Sequence, residues 1–123
     1  MKNKADLTHR EDMSFAVMNL ISLEEHFAMT AAKTNKEEYL HMLHSVRKLR
    51  VQLLKKLVVN TEGELWCISK HLLAATMRLM ETATKYLESD VSAAHDFEKH
   101  AFDLYSLFWV LQNEKAHKPE VKK

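Results

Sequence analysis

Apolar residues return every three or four positions in four stretches of the chain, and each stretch opens on a helix-start signal. Thr8-x-x-Glu11, Thr34-x-x-Glu37 and Thr61-x-x-Glu64 each precede such a stretch. They read as capping boxes, in which the Thr hydroxyl accepts from the N3 amide while the Glu reaches back to the cap amide. Ser89-Asp90 is a weaker fourth start, where either side chain can cap and the aspartate also suits the positive end of the helix dipole. Pro119, after Lys115 and His117, marks the last stop. The pattern predicts helices near 9–33, 35–59, 62–88 and 90–115, each about 25 residues and roughly 37 Å long. Equal lengths and short connections predict an all-α fold. The expected architecture is an antiparallel up-down-up-down four-helix bundle over 8–115, with flexible ends at 1–7 and 116–123. The three Thr caps recur at similar intervals, but the residues between them do not match, so they are repeated punctuation rather than a repeat unit.

Placing residues at about 100° per step assigns each helix an inward stripe. The first gives Met13, Val17, Leu20, Phe27 and Ala31, and the second gives Tyr39, Leu43, Val46, Leu53 and Leu57, flanked by Met42 and Leu49. The third gives Leu65, Ile68, Leu72, Ala75, Leu79, Ala83 and Tyr86, and the fourth gives Ala94, Phe97, Ala101, Leu104, Phe108 and Leu111.

Four polar residues interrupt these stripes. Glu24 lies between Leu20 and Phe27, Arg50 between Val46 and Leu53, Thr76 on the third helix, and His100 just off the centre of the fourth. Counted from the turns at Lys33–Thr34 and Ser89–Asp90, Glu24, Thr76 and His100 fall at similar heights, with Arg50 about one and a half turns away. Two outcomes are open. The four form either a small interior site for a ligand or metal, or a mutually satisfied network, because an isolated buried charge costs several kcal/mol. A carboxylate-bridged di-metal site wants about four carboxylates and two histidines, and only Glu24 and His100 qualify. No metal and no cofactor are expected.

Helices 3 and 4 carry a second apolar stripe. Trp66, Leu73, Met77, Met80 and Leu87 form it on helix 3, and Phe102, Tyr105 and Trp109 on helix 4. A surface helix normally has one apolar stripe and a polar back, so an extra one rich in aromatic residues predicts a partner surface. A rotated core centre would absorb Leu73, Met80 and Tyr105, whereas Trp66, Met77, Phe102 and Trp109 are harder to absorb. A homodimer or higher homo-oligomer packing helices 3 and 4 together is the expected form, with another protein partner as the variant of it. Helix 2 adds a weaker apolar side in Leu40, Val51, Leu54 and Val58.

Composition narrows the remaining classes. The 123 residues include one Gly, one Pro and one Cys, which removes hairpin-rich β folds, glycine-rich phosphate loops and disulfide or Cys-only metal frameworks. No apolar run spans a bilayer and no signal segment opens the chain, so a cytoplasmic location is expected, with no membrane partner. The formal net charge of +1 is uneven in its distribution. Residues 34–61 hold six basic and two acidic side chains, whereas residues 88–103 hold five acidic and one basic. Arg47, Lys48, Lys55 and Lys56, near His41 and His44, form a basic strip able to touch RNA phosphates, but no aromatic residues interleave it, and a nucleic-acid partner is not expected. Glu38-x-x-His41 has ferritin-type spacing, yet His41 lies on the polar side of its helix, and Glu114-x-x-His117 lies where helix 4 should fray. Cys67 and His71 share a face but supply too few ligands for a metal and no oxyanion site for catalysis. No enzyme chemistry is indicated. The reading that follows is a non-enzymatic helical bundle that self-associates or binds a protein. An interior ligand site and RNA contact are the alternatives.

Overall fold

The computed structural model describes the backbone of residues 4–117 and the side chains of residues 7–113. It is all-α among the described residues, with α1 at Lys4–Thr34, α2 at Glu37–Lys55, α3 at Gly63–Thr84 and α4 at Val91–His117. Two compact units divide at Leu57/Val58, one holding α1 and α2 and the other α3 and α4. Each is an antiparallel helical hairpin, the pairing that an up-down order requires. Pro119 and the ends at 1–3 and 118–123 lie outside the described residues.

The helix starts differ from the capping pattern in an instructive way. Thr8 lies inside α1, which begins four residues earlier. Thr34 closes α1 instead of opening α2: its hydroxyl donates to the Thr30 carbonyl (2.8 Å) and accepts from the Lys36 amide (3.2 Å). The position that turns the chain is Asn35, left-handed at φ 60°, whose amide donates to the Ala31 carbonyl as an αL helix stop. Ahead of α3 the cap residue is Glu62, without a side-chain cap bond, and Asn60 Oδ1 accepts from the Glu62 amide in place of Thr61. Gly63 then takes φ 75°, a conformation that suits the one glycine in the chain. The weakest of the four signals does work as a side-chain cap: Asp90 Oδ1 accepts from the Ala93 amide at 3.0 Å. At its far end α3 tightens into successive i→i−3 bonds from Lys85, Tyr86 and Leu87 before Asp90.

The fully buried stripes are turned from the expected centres, in the same sense on every helix. In the first unit Ser14, Val17, Met18, Ile21 and Ala31 are buried on α1, with Arg50 and Leu54 on α2 and Leu57 just beyond it; Val58 is buried at the start of the second unit. In the second pair Leu65, Ser69, Leu73, Thr76 and Ala83 are buried on α3, and Ala94, Ala101, Phe108 and Gln112 on α4. The rotation is roughly 35–80°. It moves Leu54 from a secondary side into the core, and leaves Ile68 and Tyr86 exposed. The apolar arc of each helix is wider than the face it buries, so averaging over all apolar positions misplaces the centre.

Asp90→Ala is expected to lower stability by about 1 kcal/mol in urea unfolding, and Thr61→Ala to stay within about 0.5 kcal/mol. The reverse order would restore the capping-box assignment.

Candidate functional site

Glu24 and Arg50 meet inside the α1–α2 pair. Arg50 Nε donates to Glu24 Oε2 at 2.7 Å and its NH2 group donates to Oε1 at 3.0 Å, a two-point pairing of guanidinium with carboxylate. The Arg50 side chain is 5 % exposed and that of Glu24 12 %. Their helical positions differ in height, and the length of the arginine side chain bridges the offset. This arrangement is a satisfied pair: both carboxylate oxygens are engaged by the Arg50 guanidinium.

The other two members of the expected layer behave differently. Thr76 is buried, but its hydroxyl donates to the Leu72 carbonyl at 2.8 Å, a local bond within α3. His100 is exposed, which corrects its inward assignment. Its neighbour Ala101, expected inward, is buried. Among the described residues, no three His, Cys, Asp or Glu side chains gather as a metal site.

Two polar anchors were not legible from the pattern. Gln112 is 2 % exposed, accepts from the Val59 amide (3.1 Å), and donates to Ser69 Oγ (2.8 Å) and the Phe108 carbonyl (3.1 Å). It ties α4 to α3 and to the segment ahead of α3. The clue was its place four residues beyond Phe108 on the Ala94–Ala101–Phe108 line, where Leu111 had been preferred. Arg10 donates to the Lys56 and Leu57 carbonyls, each at 3.2 Å, a cation closing the C-terminal end of α2.

The second stripe on α3 and α4 divides in three. Leu73 is fully buried and belongs to the core, which corrects its place in the interface set. Trp66, Met77, Tyr105 and Trp109 are half-buried, the Trp109 ring lying edge-on to both Tyr105 and Phe108. Phe102 is 67 % exposed. Along the same helix Val91, Leu107 and Val110 are also exposed.

The basic strip is a solvated surface. Arg47, Lys48, Lys55 and Lys56 are all exposed, but only Lys48 and Lys55 share a line with His41 and His44. Arg47 sits about 100° to one side of Lys48, and Lys56 lies at the cap beyond the helix. On the flank of the α1–α2 pair, Leu23, Phe27, His41, Met42, Ser45 and Val46 line an open apolar depression of about 300 Å³. A second one, lined by Trp66, Cys67, Ile68 and His71 near the start of α3, holds about 570 Å³. Cys67 is an exposed free thiol. No described helix is long and apolar enough to cross a membrane.

No family model, curated protein or solved structure matches the chain. The functional reading therefore rests on its own residues.

Glu24→Leu or Arg50→Met alone is expected to cost about 3–5 kcal/mol in chemical unfolding, since each strands its partner, whereas the double variant returns close to the parent or above it. Additive losses in that cycle would show that the two side chains are not coupled. Gln112→Leu is expected to cost about 1–3 kcal/mol by leaving the Val59 amide and Ser69 hydroxyl without their partner.

Proposed function

We propose that this chain is a non-enzymatic helical protein that works by association, covering the apolar surface of α3 and α4 with a protein partner, in the simplest case a second copy of itself. The observation that carries this reading is Phe102, two-thirds exposed in the middle of α4, with exposed Val91 and half-buried Trp109 on the same side of the helix. Trp66, Met77, Tyr105 and Trp109 supply half-covered aromatic and thioether surface in the same pair of helices.

The physical argument is one of cost. Each large apolar side chain moved from water to a packed environment gains about 1.5–3 kcal/mol. Isolated exposed residues are ordinary, but a row of them with aromatic neighbours is the composition of an interface core. A closed self-association meets this need with no second gene product, because one patch then serves both sides. The interior-ligand alternative loses its reactive groups: Glu24 and Arg50 occupy each other, Thr76 bonds within its own helix, and His100 faces outward.

Phe102→Glu is expected to weaken self-association at least about tenfold in sedimentation velocity, with the far-ultraviolet helical signal unchanged, because the ring is exposed within the chain. Equal dissociation constants for the variant and the parent would remove Phe102 from the surface.

A further inference from the structure

We draw no further inference here: the strongest candidate, the open apolar depression that Leu23, Phe27, Met42 and Val46 line on the flank of the α1–α2 pair, is an unpartnered face, and nothing in the structure shows what covers it.

Discussion

A carboxylate and a guanidinium withdrawn from water must find each other, and in the first helical pair that requirement sets the alignment of α1 against α2. Glu24 and Arg50 make two parallel bonds, a geometry that tolerates little sliding of one helix along the other. The two ends of the hairpin agree with the register so defined. At the closed end Asn35 reverses the chain in a left-handed conformation, and at the open end Arg10 reaches the last carbonyls beyond α2. Replacing the pair by well-packed apolar residues need not lower stability, so its contribution is alignment more than energy.

The second pair solves the same problem with a neutral group. Gln112 has both a donor and an acceptor, and uses them on Ser69 and on the Val59 amide, so α4 is held at a defined height against α3. Near the connecting turn Tyr86 and Phe97 stack with centroids 5.5 Å apart, fixing the closed end of that hairpin. These polar and aromatic fixings matter because much of the remaining buried surface is made of small and aliphatic side chains, which can pack in more than one register.

Much of the fold was legible because helix periodicity and hairpin length are local properties: four helices, their order and their antiparallel pairing all follow from the apolar spacing and the short connections. Glu24 and Arg50 could be singled out for the same reason, as charges inside apolar stripes. What escaped depends on relations between distant residues. Thr8, Thr34 and Thr61 have the right local spacing for caps, but where a helix begins is decided by the turn before it, and Asn35, Asn60 and Gly63 make those turns. His100 and Leu73 were placed on the wrong side of their helices because each apolar arc is broader than the face it buries. The same breadth leaves Phe102 in water beside half-buried Trp109, and it is this surplus apolar surface, more than any constellation of reactive groups, that points to association.

The central claim is met most directly by the solution mass of the unmodified chain, measured by light scattering across a wide range of concentration. The account predicts a mass that rises with concentration from 14.4 kDa toward a fixed multiple of it, as the surface on α3 and α4 becomes covered. A mass of 14.4 kDa throughout would contradict self-association and leave that surface to a different protein.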